Sequence, residues 1–294
     1  LGGIKTKINK EKHMRIPKKR PKTVLKKEKT LLTYVGKPFF DVERTDIDVL
    51  PGNSLQIVLT DFDFIDVLRK IEGLGSVCLS LFNTIKKYYM LSEYTSYRTG
   101  IEPDCDYFLL TVRKTSIDYT WANIEAEVSD PSGKSFIKFI VKYRIYTTDR
   151  FQTRFKEIKE KTAKTRFNAF KQPLYFDIMK KCSNITSDVC LPDLDKKYYA
   201  GHFRNFPIVN SSIVTFMAMN TAFNHIDLMH DLCFVSADLK MVDYISYKDR
   251  HRMSLTIHDS QDLLEIQIKS KYLEIIAGTI TFKKMNFNFN TLKK

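Results

Sequence analysis

"YYAGHFRNFPIVNSSIVTFMAMN", residues 198–220, sets one histidine ahead of a helix-forming run that is apolar on nearly every side. A helix of the type "SSIVTFMAMNTAF" (211–223) has no face suited to water, so the surrounding chain must cover it. His202, just upstream, admits two readings. It is either a base beside an apolar channel or a hydrogen-bonded loop residue at the rim of a plain core.

Working outward from this run, the segments after it and the whole first half alternate between strand and helix patterns. "NSLQIVLTDF" reads as a strand after the Pro51-Gly52 turn, and "FFDVERTDIDV" as one before it. "FIDVLRKIEGLGSVCLSLFNTIKKYYML" has helical spacing with a break expected at Gly73 and Gly75. "DYFLLTVRKT", "TWANIEAEVSD" and "SFIKFIVKYRIY" are strands, the last two joined by a "DPSG" hairpin turn. Residues 149–172 are charged, with Phe151, Phe155 and Ile158 near one face, and read as a linking helix.

The second half repeats this order. Asp48 can be laid on Asp188, Pro51 on Pro192 and, after a one-residue gap, Phe62 on Phe203, an offset of 140 rising to 141. At the same offset "SFIKFIVKYR" (135–144) meets "IAGTITFKKM" (276–285), and "NIEAEV" meets "LEIQIK". The chain is therefore divided into a basic, disordered tail (1–30), an N-terminal unit (31–148), the linking helix (149–172), a C-terminal unit (173–285) and a short tail (286–294).

Composition limits what these units can do. The hydrophobic share of 43%, with 21 Phe and 15 Tyr, is ample for real cores. Of the net charge of +14, residues 1–30 hold 12 Lys or Arg against 2 Glu, or +10, which leaves +4 for the body. That tail is a solvated arm or a docking segment for an acidic partner. No run of 18 apolar residues and no secretory h-region is present, so the expectation is a soluble, cytoplasmic protein without a membrane span. Five scattered cysteines without C-x-x-C signal neither disulfides nor zinc. His225 and His230 lack metalloprotease spacing, so no metal is assigned, and no glycine-rich phosphate loop or G-x-S-x-G occurs. "RHR" at 250–252 has no stacking motif beside it, so nucleic acid is not indicated.

The 198–220 segment resembles the active-site stretch of the 3-hydroxyacyl-ACP dehydratases, where H-F-P-G-N-P-x-x-P-G precedes a helix bearing a carboxylate and then a glutamine. The likeness runs over about residues 174–284, and the repeat extends it to the first half. It implies an α+β double hot dog: two antiparallel sheets, each wrapped around a central helix, forming a pseudo-dimer within one chain. Departures are plain. The family's Pro-Gly is Asn210-Ser211, its glutamine is Asn220, and its carboxylate falls at Phe216, which carries no proton.

Because family sites draw histidine and carboxylate from opposite hot dogs, the resemblance pairs His202 with the first-half helix near position 75. Glu72 is the nearest carboxylate and Asp66 the next. The mirrored pair, Asp61 with Phe216, would be silent. Implied is a dehydratase acting on 3-hydroxyacyl thioesters of an acidic acyl carrier, of fatty-acid or polyketide type, without a cofactor. His202 takes the C2 proton and the carboxyl gives one to the leaving hydroxyl. N–H groups around Ser211, Ser212 and Ile213 bind the thioester oxygen, and Ile213, Phe216, Met217, Asn220 and Phe223 line or back the acyl channel. Two alternatives remain: acyl transfer from 3-oxoacyl carriers, as in the butyrolactone-synthase and avirulence-D families, and a non-catalytic acyl- or carrier-binding module.

Overall fold

The computed structural model describes residues 40–81, 87–159, 169–183, 185–193, 195, 198, 203, 205–226, 231–246, 248–272 and 274–285. Both expected tails and His202 lie outside the described residues. The first half supplies β1 (Asp48–Leu50), β2 (Ser54–Leu59), α1 (Phe64–Leu81), β3 (Lys87–Arg98), β4 (Phe108–Ile117), β5 (Trp121–Ser129), β6 (Ser135–Thr147) and α2 (Thr148–Arg154). The second supplies β7 (Asp177–Lys181), β8 (Thr186–Cys190), β9 (Ile208–Val209), α3 (Ser211–Phe223), β10 (Asp231–Met241), β11 (Ile245–Ser246), β12 (Arg252–Asp259), β13 (Leu263–Ser270) and β14 (Ile276–Met285).

Two sheets were expected, and one is found. Twelve strands run in the order β1-β2-β4-β5-β6-β3-β10-β14-β13-β12-β8-β7, with β9 and β11 forming a separate two-stranded ribbon. The large sheet is continuous because β3 pairs antiparallel with β10, placing Tyr94 opposite Leu239. Left apart, each half would end in an unpaired row of backbone donors and acceptors, and joining them satisfies both rows. Side chains reinforce the seam: Ser96 Oγ donates to Ala237 O at 3.1 Å, Ser92 Oγ to Met241 O at 2.9 Å, and Arg98 Nε to Phe234 O at 2.8 Å.

The strand order reads as a palindrome about this seam: β3 mirrors β10, β6 mirrors β14, β5 mirrors β13, β4 mirrors β12 and β2 mirrors β8. The sequence matches at 135–144 with 276–285, and of "NIEAEV" with "LEIQIK", are thus between mirrored strands. The match at 48–62 is not. Asp48 lies in β1, whereas Asp188 lies in β8, the counterpart of β2. Pro51 opens the β1–β2 turn, in which Gly52 and Asn53 have φ of 75° and 60°, while Pro192 follows β8, so two unlike prolines had been aligned.

Alternation explains which face is covered. Along β6, Phe139, Val141, Tyr143 and Ile145 are buried while Lys138 and Ile140 face out; along β13, Leu264, Ile266 and Ile268 are buried while Gln267 and Lys269 face out. α1 packs on β2, β3, β4 and β5, α3 packs on β10 and β13, and the two helices touch each other. α1 runs unbroken through Gly73 and Gly75. These glycines serve close approach, since a Cβ at Gly73 would lie 2.1 Å from the Phe40 ring and one at Gly75 2.3 Å from Tyr143 Oη.

Of the helix expected over 149–172, Thr148–Arg154 is helical with Thr147 capping its start, a 3-10 turn at Lys156–Ile158 and an extended Lys159 follow, and residues 160–168 lie outside the described residues. Its apolar residues act as a wedge. Phe151 stacks on Tyr88 at 3.9 Å and meets Phe203 at 5.3 Å and Phe206 at 5.0 Å. Among the described residues no helix is long and apolar enough to cross a membrane.

Candidate active site

Glu72 sits midway along α1, a carboxyl placed where the helix is covered on all sides and only 2% exposed. Such a group is tolerated only with hydrogen-bonding partners, and its partners come from the other half. Ser211 Oγ donates to Oε1, Ser212 N–H donates to Oε1 at 3.0 Å, and Ser212 Oγ bonds Oε2 at 3.1 Å. The carboxyl of the first helix thus lies on the N-terminus of the second, where backbone donors and the helix dipole favour negative charge. Burial nevertheless outweighs these bonds and the nearby Arg69 charge, and pushes the Glu72 pKa up to about 7.

The backbone around Glu72 is fixed from several directions. Tyr143 Oη shares its proton between Ile71 O at 3.0 Å and Glu72 O at 3.2 Å, and Ser76 Oγ donates to Glu72 O at 3.0 Å. On the facing helix, Asn210 caps α3 by accepting from Ile213 N–H at 2.8 Å, and Thr215 Oγ1 donates to Ser211 O at 2.8 Å. Tyr94 of β3 bonds Thr215 Oγ1 across the two halves at 2.8 Å, and burial raises its phenol pKa.

A small cleft at the seam reaches this carboxyl, lined by Met90 and Ser92 of β3 and by Met241 and the following Val242–Tyr244. Glu72, Asn210 and Ser211 line it, together with Arg144, Tyr146 and Tyr244. Its free interior is about 20 Å³, room for a water-sized group. Arg144 stands 4.8 Å from the face of Trp121, which Lys142 also meets at 4.5 Å.

Of the candidate residues, Glu72, Ser211 and Ser212 are brought together, and His202 lies outside the described residues, although its neighbour Phe203 is buried against Phe151. Asp66 is not at the cleft: it is bonded to Arg69 and, at 2.6 Å, to Lys70. Partial burial opposes its charge, but these two cations prevail and hold its pKa below the ordinary value. Ile213 and Met217 are core residues, and Asn220 donates to Leu174 O at 3.0 Å. Phe216 faces Phe170 at 5.6 Å, and Phe170 in turn lies under Arg69.

The helix-start donors differ from expectation as well. Ser212 N–H is occupied by Glu72 Oε1, a carboxylate from the first half, and Ile213 N–H by the side-chain oxygen of the cap, Asn210. Residues missed by sequence reasoning are Asn210, Arg144 and Tyr94. An Asn directly before "SSIVTF" is an N-cap signal that could have found the first.

No protein-family model matches the chain, and no curated protein matches it by sequence. Solved structures do. The 12:0-ACP thioesterase from Umbellularia californica superposes with a TM-score of 0.51 at 8% identity, over 80% of this chain and 99% of that one. The tesB protein of Mycobacterium avium subs paratuberculosis follows with 0.49 at 8%, over 82% and 96%. A MaoC-like dehydratase gives 0.37 at 9%, over 66% and 75%. At such identities likeness speaks of fold alone, and with one large antiparallel sheet around few helices the chain carries the hot-dog fold.

Proposed function

We infer that the chain is an enzyme acting on acyl thioesters, a double hot dog whose reaction centre is built at the seam of its halves. The observation that carries this reading is the placement of Glu72: a buried carboxyl from α1, bonded to Ser211 and Ser212 at the head of α3, at the inner end of a cleft. With a pKa near 7 it is present in both protonation states near neutrality, which suits a group that takes a proton and returns it.

Hydrolysis is the reaction that a single such group serves best. Ionised Glu72 takes a proton from water as the water oxygen bonds to the thioester carbonyl carbon. The tetrahedral adduct then collapses, the C–S bond breaks, and the sulfur receives the proton from Glu72. The 12:0-ACP thioesterase that superposes on the chain is an enzyme of this chemistry. Dehydration of a 3-hydroxyacyl thioester is the second reading. It is favoured by the "GHF" stretch leading into α3, and it requires His202 as base with Glu72 as acid.

Arg144 in the cleft lining has no carboxylate partner among the described residues and suits the phosphate of a phosphopantetheine arm, whether on coenzyme A or on an acidic carrier. Entry of an acyl chain requires the cleft to widen, which the flexible Met90 and Met241 side chains allow.

The test is incubation of the full chain with decanoyl-CoA and with 3-hydroxydecanoyl-CoA. Release of free thiol from both identifies a hydrolase. Formation of the enoyl thioester from the second alone, abolished in H202A, identifies a dehydratase. Unchanged substrates that remain bound identify a binding module and overturn the enzymatic reading.

A further inference from the structure

Asn210 caps α3 with one end of its amide only. Oδ1 accepts from Ile213 N–H and from Ser212 Oγ, each at 2.8 Å. This settles which end is oxygen, because the reverse would set an NH2 group against a backbone N–H. The other end, Nδ2, is buried without an acceptor among the described residues, in a side chain only 3% exposed. Native proteins rarely leave such a donor unpaired. Asn210 lines the same cleft as Glu72 and Ser211.

Three of the neighbouring backbone donors are already held. Ser212 N–H is held by Glu72, Ile213 N–H by Asn210 Oδ1, and Val214 N–H by Asn210 O at 3.2 Å. An amide NH2 pairs with an acceptor such as a carbonyl oxygen and repels a cation. Ser212 Oγ bridges the two polar groups, 2.8 Å from Asn210 Oδ1 and 3.1 Å from Glu72 Oε2. The spare donor and the proton-carrying carboxyl are therefore parts of one linked unit.

We propose that Asn210 Nδ2 is the donor that receives the thioester carbonyl oxygen, and then the oxyanion that develops on it, beside Glu72. The proposal rests on the acyl-thioester reading and names a side-chain donor at a helix N-terminus whose Ser212, Ile213 and Val214 N–H groups are held. As the attacking water oxygen bonds to the carbonyl carbon, the π electron pair moves onto the carbonyl oxygen, and the hydrogen bond from Nδ2–H to that oxygen strengthens. It relaxes when the pair returns and sulfur departs.

N210S and N210D each keep a capping oxygen for α3 and lack the amide donor. With decanoyl-CoA, both are expected to lose about 10²–10³-fold in kcat, the range for removal of one oxyanion donor, with KM and Tm close to wild type in N210S and a lowered Tm in N210D, which buries a second carboxylate near Glu72. A second readout uses a non-cleavable CoA thioether ketone labelled with ¹³C at its carbonyl. Its bound carbonyl stretch should lie at lower frequency in wild type than in N210S. Wild-type turnover in both variants, or equal carbonyl frequencies in wild type and N210S, would overturn the assignment, as would a water that merely fills the place of the ligand oxygen. If wild type binds the ketone yet turns over no thioester, the enzymatic reading falls while the carbonyl frequency still decides Asn210. No binding at all removes both.

Discussion

At the scale of the residue, Glu72 carries a large electrostatic cost, and the proposed reaction is centred on it. Its pKa is raised from an ordinary 4.5 to about 7, so the folded chain holds this proton more tightly than the unfolded chain. The resulting stabilisation is fully present below about pH 4.5 and is lost as pH rises through about 7, amounting to about 3 kcal/mol at roughly 1.4 kcal/mol per pKa unit. Urea unfolding at pH 5 and pH 8 should show wild type losing about that much relative to E72Q, whose amide does not titrate. An equal pH response in both proteins would place the titrating group elsewhere. E72Q should also lower acyl-thioester turnover by about 10²–10⁴-fold, measured as kcat with folding verified by circular dichroism. Sequence offset alone pointed to Glu72. It gave no view of Asn210's spare amide, because a cap motif states what the oxygen does and leaves the nitrogen unassigned.

At the scale of the element, α1 shows why local rules and tertiary packing disagree. Two glycines inside a helix suggest a break, yet the helix is continuous because Phe40 and Tyr143 approach its backbone where no Cβ intervenes. Helix propensity alone makes Gly→Ala favourable by up to about 1 kcal/mol. Packing reverses the sign: in G75A the new methyl meets Tyr143 Oη and Ile124 Cδ1, so a loss of about 1–3 kcal/mol is expected from overpacking. Denaturant midpoints decide between them, and a stabilised G75A would mean that Tyr143 moves aside without cost. The apolar helix α3 was legible from composition, and the mirrored strands β6 and β14 from alternation. The linking helix is interrupted at Lys156–Lys159 although its charged residues favour helix locally, because Phe151 and Phe155 enter an aromatic cluster with Tyr88 and Phe203.

At the scale of the whole molecule, the seam between β3 and β10 makes one cooperative body from two repeated halves. Calorimetric and van't Hoff enthalpies should agree for a single transition, and two resolved transitions would mean that the halves unfold separately. The Tyr94–Thr215 bond spans the same boundary, and Y94F should cost about 1 kcal/mol, with T215V adding little once the phenol is gone. A sequence repeat implies two similar units but says nothing of whether their edges meet. That depends on a backbone pairing between residues 93–97 and 236–240, which no alternation pattern records.

The position of Trp121 has a practical consequence. It is the sole indole of the chain, and its π-face meets the guanidinium of Arg144, which borders the opening beside Glu72. An anion that draws Arg144 off the ring alters the emission of the one tryptophan present. The protein thus carries its own optical gauge of occupancy, usable without a label and silent in R144A.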